Sequence, residues 1–267
     1  MLRLLTSPKW IALSVACLLS LPAFNALSNW QWGRLHQRQA YNNTILEAQS
    51  LPEVKIDRLL KVNAKEITVG SKSEWRTVEV SGTWDVANQV LVRKQSLESD
   101  LGLWVITPLV LANKSIVLIN RGWVAAANSA IDSPLVSSPP TGEVRLLGRV
   151  RLVKPRVKVK PNDLPANQID QIIPKEIFPN RAVLVNAYLE MTSSAPEALT
   201  AGLTELPAPE VTEGPHRSYA LQWIFFAIMT VIGWGVLLRS DYLALQDQTE
   251  SADDEEEKSP VFSTSAN

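Results

Sequence analysis

Few side chains in this 267-residue chain can bind a metal ion or act as a nucleophile, because it contains only two histidines and one cysteine. That set cannot build a zinc site of the usual composition, and a single cysteine excludes an internal disulfide framework. The sequence has no glycine-rich phosphate loop after a predicted strand and no G-x-S-x-G motif. We therefore predict that the chain is not an enzyme. Its formal net charge of −1 also gives no indication of nucleic-acid binding.

The strongest candidate for chemistry is His216, which stands beside Arg217 where a long apolar run begins. Pro215 suits the first turn of a helix, and a helix that starts there puts His216, Tyr219 and Trp223 on one face. The positive end of a helix favours the neutral imidazole, which is the form that coordinates a metal such as haem iron. Arg217 would then reach a haem propionate, and the aromatic side chains would pack on the macrocycle.

The same stretch also fits an ordinary membrane interface. Tyrosine, tryptophan and basic residues gather there because their side chains are partly apolar and partly polar. In that interpretation the aromatic residues simply pack on another membrane helix, and His216 binds nothing. The residues by themselves favour this second interpretation, and they permit a haem site without requiring one.

Two uncharged apolar segments, residues 10–27 and 219–238, approach the roughly 20 residues that a helix needs to cross a membrane. We predict two transmembrane helices near the two ends of the chain. A cleaved signal peptide would place Phe24 where a small residue is preferred, so we expect the first segment to remain as an anchor. Basic residues flank the two sides equally and leave the orientation open. Residues 1–9 are too short for a mitochondrial transit peptide, so we expect a bacterial inner membrane.

An extramembrane domain, residues 28–218, is predicted between these helices. Residues 28–51 continue as a helix, whereas residues 74–191 form short strands rich in valine, isoleucine and leucine that are separated by turn formers. Short connections favour a mainly antiparallel sheet, which can close as a barrel, and hence an α+β domain. Residues 192–214 are predicted to be a loop, and the acidic tail, residues 239–267, is predicted to be disordered.

A basic stretch, residues 145–160, contains no acidic residue. Its RVKVK segment alternates charge with valine, so on a strand the charges share one face. A solvated edge strand is the favoured interpretation, and a dock for anionic lipid, an acidic partner or a cofactor carboxylate is the alternative.

Three separated stretches resemble the motifs of a known family. Near the first span, WQWGR at 30–34 matches an LGxWQxxR pattern, and near the second, PHRSYALQW at 215–223 matches NxHxxYAxxWF. Between them lie GTWD at 82–85, GLWVITPL at 102–109 and NRGWV at 120–124. In order and spacing these stretches resemble the surfeit locus protein 1 family, the membrane-bound assembly factors of cytochrome c oxidase. The departures are Ser28 where the family has glycine, Gly214 where it has asparagine, and Ile224 where it has phenylalanine.

The resemblance implies a large periplasmic domain, cytoplasmic termini and a role in oxidase maturation. For bacterial members it implies binding of haem a for delivery to subunit I, with the haem synthesis machinery and membrane lipid as further partners. It implies that His216 is the haem iron ligand, supported by Arg217, Tyr219 and Trp223. Ten further motif residues have no assigned role: Trp30, Gln31, Arg34, Gly82, Thr107, Pro108, Asn120, Arg121, Gly122 and Trp123.

Two other functions stay open. The protein could be a scaffold that stabilises an oxidase assembly intermediate through its periplasmic domain without binding haem. An enzyme acting on haem would need a catalytic constellation that the sequence does not contain. Trp84, Trp104 and Trp123 are predicted to be core residues, because large aromatic side chains dominate such cores. The second histidine, His36, could be an additional ligand only if the first helix bends back.

Overall fold

A computed structural model of the protein describes residues 2–63, 66–127, 132–154, 165, 167–192 and 202–257. The chain forms two compact units. The helical unit combines residues 1–41 with residues 212–267, and the sheet unit comprises residues 42–211. The helices are α1 (Leu2–Leu5), α2 (Pro8–Ser50), α3 (Pro174–Ile177) and α4 (His216–Glu257).

The two long helices, α2 and α4, contain the two apolar segments that the sequence predicts to cross a membrane. Each contains an 18-residue apolar stretch, with a mean hydropathy of 1.8 in α2 and 2.0 in α4. These helices are long and apolar enough to cross a membrane, and most residues of the apolar stretches are exposed. Exposed leucine, isoleucine and phenylalanine side chains on such helices are what a lipid environment requires. The two apolar helices flanking a sheet domain confirm the predicted fold class.

The helices pack as an antiparallel pair along a narrow seam. The less exposed residues recur in steps of three and four, which is the spacing of left-handed helix packing. On α2 these residues are Trp10, Ser14, Cys17, Leu21, Phe24, Ser28, Gln31, Leu35 and Arg38, and on α4 they are His216, Ala220, Trp223, Ala227, Thr230 and Trp234. The indole N–H of Trp234 donates to Ser14 Oγ at 3.1 Å, and Ser28 Oγ donates to the carbonyl of Ala220 at 3.1 Å.

Helix α4 continues beyond the apolar run to Glu257. The sequence predicts a disordered tail from residue 239, so the helical structure of residues 239–257 differs from that prediction. These residues include no glycine or proline and are rich in leucine, alanine, glutamine and glutamate, which favour helix. Residues 258–267, the rest of the predicted tail, lie outside the described residues.

The sheet unit contains ten described strands. They are β1 (Val54–Lys55), β2 (Leu60–Val62), β3 (Ile67–Val69), β4 (Thr77–Trp84), β5 (Val90–Leu97), β6 (Asp100–Val110), β7 (Ile116–Ala125), β8 (Glu143–Leu152), β9 (Gln168–Ile169) and β10 (Ala187–Met191). Strands β2 and β3 form a separate hairpin, and the other eight form one sheet in the order β1-β4-β8-β10-β7-β6-β5-β9.

This sheet closes on itself. Strand β4 also pairs with β6, through Thr83 opposite Val110 and Trp84 opposite Leu109, so β4, β8, β10, β7 and β6 form a five-stranded barrel. Most neighbours are antiparallel, as predicted, but β10 runs parallel to β7. Parallel neighbours need a long crossover, and the chain between β7 and β10, which includes β8, β9 and α3, provides one.

Two motif glycines allow close approaches in the barrel. A Cβ atom on Gly82 would lie 2.5 Å from the carbonyl oxygen of Val110, where β4 meets β6. A Cβ atom on Gly102 would lie 2.2 Å from the ring of Trp123 on the neighbouring strand β7. Both positions therefore require a residue without a side chain. The close packing of neighbouring strands explains why glycine stands at these two motif positions.

The barrel core consists of aliphatic side chains from alternating positions. Val78, Val80, Leu109, Ile119, Val150 and Leu189 are all almost fully buried in it. Trp84 and Trp123 are buried, as predicted, whereas Trp104 is half-buried and lies 6.5 Å from the ring of Tyr188.

Candidate functional site

The N-terminal end of α4 brings His216 against Gln31 of α2. The imidazole Nδ1 lies 2.9 Å from Gln31 Oε1, although the two residues are 185 positions apart. Gln31 is buried, and His216 is half-buried. An amide oxygen can only accept a hydrogen bond, so a neutral imidazole in this contact would have its proton on Nδ1 and its lone pair on Nε2. The first and third sequence motifs therefore meet in one hydrogen bond.

The backbone before His216 turns through Gly214, which has a φ of +67°. That left-handed conformation favours glycine, and asparagine is among the other residues that adopt it most readily. Glycine at this position thus preserves the turn that asparagine would make in the family motif. The helix begins one residue later than predicted, at His216, and the carbonyl of Pro215 accepts a bond from the Tyr219 N–H at 3.1 Å.

Small residues bring the helices together next to this bond. Ser28 is 4% exposed and Ala220 is fully buried, and their side chains leave room for the close contact between Ser28 Oγ and the Ala220 carbonyl. On the other side of His216, Arg38 donates to the carbonyl of Thr212 at 2.9 Å, and Gln39 donates to Glu213 at 2.7 Å. The His216–Gln31 pair is therefore fixed on both sides.

Trp223 packs between the helices, on the seam. Its ring stacks on Phe24 at a centroid distance of 5.9 Å and meets Phe226 edge-on at 5.8 Å. Its indole N–H is buried without a hydrogen-bond acceptor among the described residues. The aromatic packing matches the interface interpretation of Trp223, but the N–H is left unsatisfied.

The other predicted ligand-binding residues are exposed. Arg217 is exposed in the first turn of α4, and Tyr219 is 47% exposed. His36 is also exposed on α2, with its ring 6.4 Å from that of Trp32. Among the described residues, histidine, cysteine, aspartate and glutamate nowhere form a group of three that could hold a metal ion. A metal bound here would depend on a single histidine.

Two motif residues of α2 pack on each other. The Arg34 guanidinium lies 5.7 Å from the centroid of the Trp30 ring and 3.4 Å from Gln37 Oε1. Both Arg34 and Trp30 are exposed, and such cation–π pairs contribute about 0.5–1 kcal/mol at exposed sites. Unlike Gln31, these residues lie away from the seam.

Two buried central-motif residues, Thr107 and Arg121, share a polar network in the sheet unit. Gln89 Oε1 accepts from Thr107 Oγ1 at 2.8 Å and from Arg121 at 3.3 Å, and Arg121 also donates twice to the Ser137 carbonyl at 3.2 Å. Burial lowers the pKa of Arg121 to about 10, so the guanidinium stays charged at neutral pH. This network stabilises the barrel wall.

The remaining central-motif residues hold strands and loops together. Asn120 Oδ1 accepts from the Gly122 N–H at 3.2 Å, and the Pro108 carbonyl accepts from the Asp85 N–H at 2.9 Å. Gly122 has a φ of +148°, and Trp123 exchanges two backbone hydrogen bonds of 2.8 Å with Thr204. These contacts give the four residues a structural role in the sheet unit.

A second buried polar cluster was missed by the sequence prediction. Glu190 of β10 lies 2.7 Å from Arg151 and 4.0 Å from Arg149, and the Arg151 guanidinium stacks 3.8 Å from the centroid of the Trp75 ring. Arg149 and Glu190 are both buried, so the prediction of a solvated basic face is wrong for Arg149. Burial lowers the pKa of Arg149, and Glu190 acts in the opposite direction. Residues 155–160 of the basic stretch lie outside the described residues.

Comparison with known proteins agrees with the three motifs. Residues 18–228 match the SURF1 family. Uncharacterised SURF1-like proteins of Mycobacterium bovis and of Mycobacterium tuberculosis are 28% identical to the chain over 238 residues. The matched region covers 88% of this chain and 85% of each relative.

Proposed function

Because the chain belongs to the SURF1 family, which supports a general role in cytochrome oxidase assembly, we propose that it is a non-enzymatic assembly factor that binds haem a through His216. It would hold the haem transiently and aid its insertion into subunit I of cytochrome c oxidase. The observation that carries this proposal is the 2.9 Å contact of His216 Nδ1 with Gln31. That contact leaves Nε2 as the nitrogen with a free lone pair.

The residues around His216 fit a haem group. Among the described residues, Nε2 of His216 has no hydrogen-bond partner, and the buried indole N–H of Trp223 has no acceptor. A carbonyl or carboxylate group of the haem could provide that acceptor. The exposed Arg217 supplies a cation for a propionate, and the exposed Tyr219 supplies an aromatic surface. When bound, haem would supply an iron centre, and His216 would hold it through Nε2.

The proposed site suits a carrier better than a permanent haem protein. A single half-buried histidine gives one protein ligand, and the neighbouring Arg217 and Tyr219 are exposed. A carrier has to release its ligand, so moderate affinity is compatible with delivery.

The proposed location is the bacterial inner membrane. The antiparallel packing of α2 and α4 brings the apolar segments alongside each other, so both termini would lie on one side of the bilayer. We assign the termini to the cytoplasm and residues 28–218 to the periplasm. The His216–Gln31 pair would then lie at the periplasmic membrane surface.

A scaffold that acts without haem is the second candidate. It is favoured by the packing of Trp223 on Phe24 and by the structural roles of the central motif. In this case the sheet unit would bind an oxidase intermediate, and His216 would serve only to join the two helices.

Visible spectroscopy separates the two candidates. We would purify the full-length protein from cells that make haem a and compare it with the His216→Ala and His36→Ala variants. The carrier function predicts bound haem a in the wild type and in His36→Ala, and its loss in His216→Ala. Wild-type protein without haem that still co-purifies with subunit I would support the scaffold. Equal haem content in His216→Ala would rule out His216 as the ligand.

A further inference from the structure

We infer that Gln31 is a positioning residue that holds His216 in the Nδ1–H tautomer and directs its Nε2 lone pair toward a ligand. The inference rests on the proposed function, since it identifies the residue that prepares the haem ligand. It assigns to Gln31 a role that neither its helix position nor the motif around it predicts.

The geometry of the pair supports this role. The Gln31 side chain occupies a seam position of α2 and reaches His216 Nδ1 at 2.9 Å. A neutral imidazole has one N–H and one lone pair, and the hydrogen bond at one nitrogen determines which nitrogen keeps the lone pair. Without this acceptor, both tautomers would be populated and the ring would be free to rotate.

The surroundings of the pair limit how far the helices can shift. Ser28 bonds to the Ala220 carbonyl on one side, and Arg38 bonds to the Thr212 carbonyl on the other. Gln31 is only 9% exposed, so few rotamers of its amide are available. The acceptor is therefore already in place before any ligand arrives.

Hydrogen bonds to the second nitrogen of a ligating histidine fix its tautomer and raise its basicity. Loss of such partners typically weakens metal affinity about 10–100-fold. Gln31→Leu removes the acceptor at similar size and suits an apolar seam. Gln31→Glu keeps an acceptor and strengthens it by adding charge.

The first test requires no haem. Full-length protein with ¹⁵N-labelled histidine is reconstituted in lipid nanodiscs at a pH where imidazole is neutral, and the ring nitrogen shifts report the tautomer. The exposed His36 serves as an internal reference, assigned with a His36→Gln variant. We expect a pure Nδ1–H tautomer for His216 in the wild type and in Gln31→Glu, and a tautomer mixture in Gln31→Leu. An unchanged His216 tautomer in Gln31→Leu would overturn the inference.

The second test uses haem a titrated into the same proteins. Gln31→Leu is expected to bind about 10–100-fold more weakly. Gln31→Glu is expected to bind haem and to lower its reduction potential, because a carboxylate makes the imidazole a stronger donor. Binding of Gln31→Leu within twofold of the wild type would contradict a positioning role. If the wild type binds no haem, the proposed function fails, whereas the tautomer experiment still decides the role of Gln31.

Discussion

The Ser28 hydroxyl donates a hydrogen bond to the Ala220 carbonyl oxygen at 3.1 Å, across the two long helices. Both residues are small, and both are buried. Small side chains let membrane helices approach closely, and a hydroxyl adds an interhelical hydrogen bond. Serine therefore preserves the close approach that glycine would allow at this position of the motif.

Substitutions at Ser28 should show this dependence on size. Ser28→Gly is expected to cost about 0.5–1.5 kcal/mol for the lost hydrogen bond and roughly 0.5 kcal/mol more because glycine favours a helix less than serine. Ser28→Leu is expected to separate the helices and to displace His216 from Gln31, because the seam has no room for the added atoms. Thermal unfolding in detergent and the His216 tautomer measure the two effects. Native behaviour of Ser28→Leu in both experiments would contradict the close contact.

The positive φ of Gly214 predicts which residues can replace it. Gly214→Asn should fold like the wild type, because asparagine tolerates the left-handed region and its Cβ would lie 3.6 Å from His216 Cδ2. Gly214→Val should cost about 1–3 kcal/mol in strain. The free energy of unfolding of the two variants provides the comparison. Equal stability of the two variants would mean that the turn does not require the left-handed conformation at residue 214.

Barrel closure at Gly82 should be sensitive to one added methyl group. Gly82→Ala places its Cβ 2.5 Å from the Val110 carbonyl, and we expect a loss of about 1–3 kcal/mol. Gly33→Ala is the matched control, since its Cβ would have no neighbour within 4 Å and alanine favours a helix by about 1 kcal/mol. Hydrogen exchange of the β4 and β6 amides should increase only in Gly82→Ala.

The buried carboxylate of Glu190 should contribute strongly to stability. Glu190→Gln leaves Arg149 and Arg151 without their shared negative charge, and breaking a buried pair costs about 3–5 kcal/mol. Glu79→Gln provides the control, because its partner Arg145 is mostly exposed and such pairs contribute at most about 1 kcal/mol. Chemical denaturation of both variants measures the difference. A similar loss for the two would place Glu190 in a solvated environment.

Alkaline pH should destabilise the sheet unit through Tyr188. Burial, assisted by Glu190, raises the pKa of the Tyr188 hydroxyl above its usual value. As the pH rises, the unfolded chain therefore loses this proton before the folded chain does. The contribution of Tyr188 to the free energy of unfolding is complete below about pH 10 and decreases as the pH rises further. Tyr188→Phe should remove this part of the pH dependence. The difference in unfolding free energy between wild type and variant, measured from pH 8.5 to 11, should change only at the alkaline end.

Much of the architecture could be predicted from the sequence, because apolar length and alternation report directly on helices and strands. The two spans and the sheet domain between them follow from residues 10–27, 219–238 and 74–191. The parallel pairing of β10 with β7 could not be predicted, since strand order depends on long-range packing. The helix at residues 239–257 was missed because an acidic composition is typical of a solvated, disordered tail. The same composition does not prevent a helix.

The site was only partly predictable for a similar reason. His216 stands out because histidine is rare in this chain, but its contact with Gln31 depends on the register of two helices far apart in sequence. The burial of Arg149 was also missed, because alternation shows which residues share a face of β8 and does not show what covers that face. Haem binding by His216 stays a prediction for the spectroscopic test.

The closed ring of five strands also limits how other chains can associate with this domain. Exposed backbone groups at a sheet edge can pair with a strand from another molecule and start aggregation. Here the eight-stranded sheet ends at β1 and β9, each only two residues long. Strands this short are poor templates for added strands. Such protection against misassociation would be useful in the general role in oxidase assembly that the SURF1 family supports.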